Sequence, residues 1–194
     1  MSVIYLPNIL LEIPRNSITA VGLPLVAGFL SGYPTGKVCK GQWYKSLTFP
    51  PGLPPRQVFP IVWGSLYFAM GYASHLAVKA FDESLTTARK SPTSIALTLY
   101  YAQLALNLAW SPLFFFKKQV GLALIDMGLL TGTTMYMTAL LHEPTGGKST
   151  YLLLPYCAWL SYATYINAVD TGLQSNRGDV LYKSGCKGSP CGAE

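Results

Sequence analysis

The stretch from Val58 to Lys79, VFPIVWGSLYFAMGYASHLAVK, carries no formal charge before its closing lysine. About twenty predominantly apolar residues are enough to carry a helix across a bilayer. Runs of the same kind occupy about residues 16–33, 92–116, 120–141 and 149–173, so the pattern recurs five times in 194 residues. With only 11% charged residues and a positive mean hydropathy, the chain falls well short of the roughly 25% charge of soluble domains. The expected fold is all-α: a membrane protein built as a five-helix transmembrane bundle. In this reading, residues 1–15 are a lead-in, 16–173 the bundle with a long loop at 34–57, and 174–194 a disordered tail.

The formal net charge of +6 does not mark a nucleic-acid binder. Lys and Arg sit in the gaps between apolar runs, where they flank a membrane, and form no single basic patch. The loop at 34–57, the Lys117-Lys118 turn and the tail carry nine of them, against five at Arg15, Lys79, Arg89, Lys90 and Lys148. The positive-inside tendency then places the long loop and the C-terminus in the cytosol. The first apolar run starts late, behind Glu12, and contains Pro24, unlike a cleaved signal peptide. Cys39, Cys157, Cys186 and Cys191 lack zinc-like spacing and read as free thiols, Cys186 and Cys191 in the tail.

Along the chain, residues 1–15 read as a frayed or interfacial segment, and Asn16 or Ser17 as the cap of the first span. Gly28 and Gly32 form a GxxxG pair, a signal for helix packing or dimerisation. Residues 34–57 hold Trp43, Tyr44 and Phe49 with prolines at 50, 51, 54 and 55. A loop of this length and stiffness reads as an ordered lid, or else as a connector anchored by Trp43 at the interface. In the second span Trp63 and Tyr67 are four apart and share a face. His75, on the same span, reads as facing a helix or a headgroup.

Ser91-Pro92 reads as the start of the third span. Gln103, Asn107 and Trp110 share a face there, as interhelical glue or as ligand contacts, and Thr98 with Ala102 forms a small-xxx-small packing pair. Asp126 is the one acid well inside an expected span, two turns from Lys117-Lys118; a structural salt bridge or helix–helix hydrogen bond is expected there, not proton chemistry. Trp159, Ala163 and Asn167 recur every four residues on the fifth span. No GxGxxG, P-loop, HExxH or Cys/His cluster occurs, so no metal site, required cofactor or firm catalytic set is expected.

Five blocks carry a family likeness: Trp43-Tyr44 before the proline-rich loop, VWGSLYFAMGYAS at 62–74, QLALNLAW with PLFF at 103–115, QVGLALID at 119–126, and PYCAWLSYATYIN at 155–167. In this order they resemble the TspO/MBR family. The resemblance implies a five-helix membrane fold, often a homodimer, with a ligand cavity closed by the first loop. It implies binding or transport of tetrapyrroles such as porphyrin and haem, and of sterols. The site would comprise Trp43, Tyr44, Trp63, Tyr67, Asn107, Trp110, Trp159, Ala163 and Asn167. A porphyrin-degrading enzyme is the alternative, with Trp63 and Trp159 as candidate catalytic residues; a membrane interaction scaffold is another. The positive tail, the absence of a signal-peptide pattern and the animal-like blocks together suggest a eukaryotic internal membrane, the mitochondrial outer membrane first and the endoplasmic reticulum second. Leu108 and Leu122 stand where animal members have Trp, and Ala168 and Gly172 leave the sterol motif of the fifth helix incomplete.

Overall fold

The computed structural model describes residues 7–47, 54–55 and 57–185. Among them the chain forms eight α-helices and no strand: α1 (Asn8–Arg15), α2 (Ser17–Gly32), α3 (Thr35–Val38), α4 (Gln42–Ser46), α5 (Val58–Glu83), α6 (Thr87–Ser111), α7 (Val120–His142) and α8 (Lys148–Gly185). A π-helical turn, Pro112–Phe116, closes α6. The five long helices make the expected bundle. Going round it, α2 packs on α5, α5 on α8, α8 on α7 and α7 on α6, while α5 also touches α6.

Ser17–Val38 and Val120–His142 have the length and hydropathy to cross a membrane by themselves. The other long helices are less apolar on average, and they turn polar side chains inward: Ser74 from α5, Thr93, Ser94, Gln103 and Asn107 from α6, Ser149 and Asn167 from α8 are all buried. Polar groups within a bundle are satisfied by neighbouring helices, not by lipid.

Prolines and glycines shape the packing. Pro112 has no N–H to give the Leu108 carbonyl, and Ser31 of α2 donates to that oxygen instead, at 3.1 Å. The chain then opens into the π-turn, which swings Phe114 and Phe115 toward the loop between α2 and α5. Gly71 on α5 is the closest helix approach: an added Cβ would lie 2.5 Å from the Ala20 carbonyl oxygen and 2.7 Å from Val21 Cα. Gly146 and Gly147 adopt positive φ after α7, and Gly147 N–H bonds the His142 carbonyl at 2.7 Å, closing the tight turn into α8.

The described part of the lead-in is neither frayed nor merely interfacial. Helix α1 docks on the bundle: Tyr101 donates to the Leu10 carbonyl (2.7 Å), His75 Nδ1 lies 2.8 Å from the Pro14 carbonyl, and Arg15 pairs with Asp82 at 2.9 and 3.0 Å as well as with Glu12. His75 is therefore helix-facing, as expected. Asn16 caps α2 by accepting from Ile18 N–H at 2.9 Å.

Three boundaries differ from the sequence reading. Helix α5 runs to Glu83, where Asp82 pairs with Arg15 of α1 and Glu83 pairs with Lys79 one turn back. Helix α6 begins at Thr87, with Pro92 inside its second turn, so Ser91 is not its cap. Helix α8 continues beyond residue 173 to Gly185, where a disordered tail was expected. No proline interrupts residues 156–185, and the two interior glycines, Gly172 and Gly178, each cost only about 1 kcal/mol of helix stability. Phe49, Pro50, Pro51, Arg56, Lys187, Cys186 and Cys191 lie outside the described residues.

Candidate ligand-binding site

The site is assembled at one end of the bundle, where α2 ends, α5 begins, α6 ends and α7 begins. Its floor is a chain of hydrogen bonds through the centre of the protein. Tyr67 donates to Asn107 Oδ1 at 2.6 Å, Asn107 Nδ2 donates to the Tyr156 oxygen at 2.8 Å, and Tyr156 donates to Gln103 Oε1 at 2.9 Å. Gln103 Nε2 lies 3.5 Å from Met70 Sδ. Gln103 and Tyr156 are 0% exposed and Asn107 is 5% exposed. The amides thus serve as interhelical glue joining α5, α6 and α8. Gly28 makes room for this floor: a Cβ there would lie 2.2 Å from the Tyr67 ring.

Above the floor the side chains are aromatic and half-buried. Trp63 lies 5.7 Å from Tyr67 between ring centroids and meets Tyr156 edge-on at 6.4 Å. Trp159 meets Phe59 edge-on at 5.8 Å and lies 5.9 Å from Tyr162. Ala163 packs beside Trp159 against the same core, one turn further along α8.

The lid is tied to the end of α6. Trp43 of α4 meets Phe114 edge-on at 5.8 Å, and Tyr44 stacks on Phe115 at 6.1 Å. Trp110 stacks on Phe114 at 5.0 Å and packs against the main core as well, so it joins lid and bundle. Lys118 places its ammonium 5.5 Å from the centroid of the Trp43 ring, a cation–π contact. The part of the 34–57 loop around residues 42–47 is therefore an ordered, docked element.

Several polar atoms at this end are buried without a hydrogen-bond partner: Trp110 Nε1, Trp159 Nε1, both amide atoms of Asn167, and Asp126 Oδ2. Buried polar groups are normally paired, so each such atom marks a point where another molecule can bond. Asp126 makes no ion pair with Lys117 or Lys118 among the described residues, so of the expected salt bridge or helix–helix hydrogen bond the first is not formed. One of those lysines is turned instead onto the Trp43 ring.

The structure brings together Trp43, Tyr44, Trp63, Tyr67, Asn107, Trp110, Trp159 and Ala163 in two touching aromatic clusters; Asn167 is buried further along α8. The packing pairs fare differently. Gly28 lies at a tight contact, but Gly32 has nothing within 4 Å of its would-be Cβ. Thr98 is half-buried and bonds its own helix at the Ser94 carbonyl, and Ala102 is exposed. Neither pair seats a helix of this chain as a unit, and the close approach belongs to Gly71. Sequence reasoning also passed over Tyr156, Phe59 and Phe114. Tyr156 sits three residues before Trp159 in PYCAWLSYATYIN, a spacing that puts both on one side of α8.

Comparison with known proteins fits this geometry. The TspO/MBR family profile matches residues 20–169, most of the chain. The chain belongs to the TspO/MBR family. It is 42% identical over 154 residues to the Translocator protein of Bos taurus, covering 77% of this chain and 86% of the relative. It is 37% identical over 156 residues to the Translocator protein homolog of Schizosaccharomyces pombe, covering 80% and 90%. A Tryptophan-rich sensory protein from Cereibacter sphaeroides is 35% identical over 147 residues, covering 74% and 84%. As a TspO/MBR member the chain is a membrane protein with a helical bundle. Helix α1, with its ties to α5 and α6, precedes the family-matched region.

Proposed function

We propose that this protein binds, and passes on, flat lipophilic ligands of the tetrapyrrole class, porphyrin or haem, at the lid end of the bundle. The observation that carries the reading is the pair of unpartnered buried indole N–H donors on Trp110 and Trp159, set among half-buried indole and phenol rings, with the unpartnered Asn167 amide further along α8. Indoles and phenols stack on a flat apolar face. A few fixed polar groups orient such a ligand without a buried charge. The lid cations Lys37, Lys40 and Lys45 suit a ligand that carries carboxylates. Sterols share the shape and apolarity but not the carboxylates, and they stand second. No cofactor is required for binding alone.

The Lys and Arg distribution supports a cytosolic lid and C-terminus. Likeness to animal and fungal relatives supports an internal eukaryotic membrane, the mitochondrial outer membrane ahead of the endoplasmic reticulum. The outward Thr98–Ala102 face of α6 offers small residues to a second copy, which supports a homodimer.

The test is tryptophan quenching of the full chain in detergent, titrated with protoporphyrin IX in the dark and then in light. Saturable quenching, weakened about tenfold or more by Trp159→Phe, supports the site; tenfold corresponds to about 1.4 kcal/mol. Bleaching of bound porphyrin in light, lost in Trp63→Phe or Trp159→Phe with binding retained, moves the reading to a degrading enzyme. No saturable quenching overturns the tetrapyrrole reading. Unchanged cellular phenotypes in site variants, with loss in Ala102→Leu on the outward face of α6, favour the scaffold.

A further inference from the structure

The seam between α5 and α8 is open on the lipid side at the level of the site. A groove of about 490 Å³ runs there, walled by Ile61, Val62 and Ser65 of α5 and by Pro155, Ala158 and Trp159 of α8. Its lining is apolar, and Ile61, Ser65, Pro155 and Ala158 are exposed. Helix α5 explains the opening. None of its residues from Val58 to Ser65 is buried, whereas eight are buried from Leu66 to Val78. The first two turns of α5 therefore run beside α8 without packing tightly on it. Helix α8 is loosened at the same level, because Pro155 has no N–H for the Tyr151 carbonyl one turn back.

Trp159 is shared by the two sides of this seam. Its ring helps wall the outer groove and also packs against the core from which the site is built, between Phe59 and Tyr162. At the lid, by contrast, Trp43 and Tyr44 are packed onto Phe114 and Phe115. The docked side of the lid and the open seam give the site two unequal boundaries.

We propose that the α5–α8 groove is the lateral entrance through which the flat lipophilic ligand passes from the bilayer to the interior site, with Trp159 as its door. This rests on the binding reading above. A ligand that partitions into lipid reaches the groove without crossing water, and displacement of one indole opens the way to the Trp63–Tyr67 face. The occupant in transit is the same ligand that the site holds, since Trp159 both walls the groove and belongs to the site.

The experiment uses the full chain in phosphatidylcholine liposomes, with stopped-flow tryptophan quenching by protoporphyrin IX delivered from a second liposome population. Ala158→Trp and Ser65→Phe fill the groove from positions outside the site, and both positions already face lipid. Ala105→Trp, on the exposed face of α6, controls for added bulk. The entrance predicts that both groove variants slow association and release together, by about tenfold, while the equilibrium affinity stays within about twofold; gated binding changes rates in this way. The control matches wild type. Unchanged rates in both groove variants overturn the entrance and leave binding intact. Absence of saturable quenching in wild type overturns the binding reading, and the entrance with it.

Discussion

The two halves of the bundle are built differently. In the half away from the lid, Met70, Ala73, Ala77, Val78, Ala96, Leu97, Leu141 and Leu153 are almost completely buried, Gly71 lies against the Ala20 backbone, and α1 is bonded to α5 and α6. In the lid half, the first two turns of α5 bury nothing, all four tryptophans are half-buried, and several polar atoms lack partners. The Tyr67–Asn107–Tyr156–Gln103 chain is the boundary between them. The comparison teaches that stability and binding are divided along the helix axes. One half holds the helices in register, and the other keeps unsatisfied surface for a ligand. Ligand sites are commonly drawn from the less stable part of a fold.

The division is broken most severely at Gly71. Gly71→Leu drives a side chain into the α2 backbone, and we expect a loss of at least about 3 kcal/mol or no folded protein, read by thermal melting in detergent. Gly28→Ala comes next: its methyl group overlaps the Tyr67 ring, so the Tyr67–Asn107 bond breaks at a cost of about 1–3 kcal/mol. Gly32→Ala, in the same GxxxG pair, meets nothing and is expected to be neutral or to gain up to about 1 kcal/mol. Equal effects of the two would restore the pair as a single packing unit.

At the boundary, Tyr156→Phe removes a donor to Gln103 and an acceptor for Asn107. Stability falls by about 1–2 kcal/mol in the same melt. Within the lid half, Trp110→Phe removes an N–H that has no partner in the protein. Its melting point changes by no more than the equivalent of about 0.5 kcal/mol, while porphyrin affinity falls about tenfold. A large loss of stability with unchanged affinity would make Trp110 a packing residue. The smallest effect is at α1: Arg15→Ala breaks an exposed ion pair with Asp82 and leaves the melting point almost unchanged, detectable as faster proteolysis near residue 15.

Much of this was legible in the sequence because lipid makes the signal simple. Runs of apolar residues gave four of the five long helices to within about four residues at the starts, and spacings of four put Trp63 with Tyr67 and Trp159 with Ala163. What escaped the sequence depended on how helices meet. Gly71 differs from Gly32 only in what lies opposite it. Tyr156 reads as one more aromatic residue until Gln103 and Asn107 are seen on either side of its hydroxyl. The π-turn follows from Pro112, yet its consequence, Phe114 and Phe115 turned onto the lid, needs the loop in place. Helix α1 is held in part by backbone carbonyls of Leu10 and Pro14, which carry no side-chain signature, beside the Arg15–Asp82 pair.

Amide hydrogen exchange of the full chain in liposomes, with and without saturating protoporphyrin IX, tests the division most directly. The account predicts new protection at residues 43–47, 58–65, 107–116 and 159–167, with little change at 70–78 and 93–97, which are already slow to exchange. Protection spread evenly over both halves, or concentrated at 70–78 and 93–97, would contradict it.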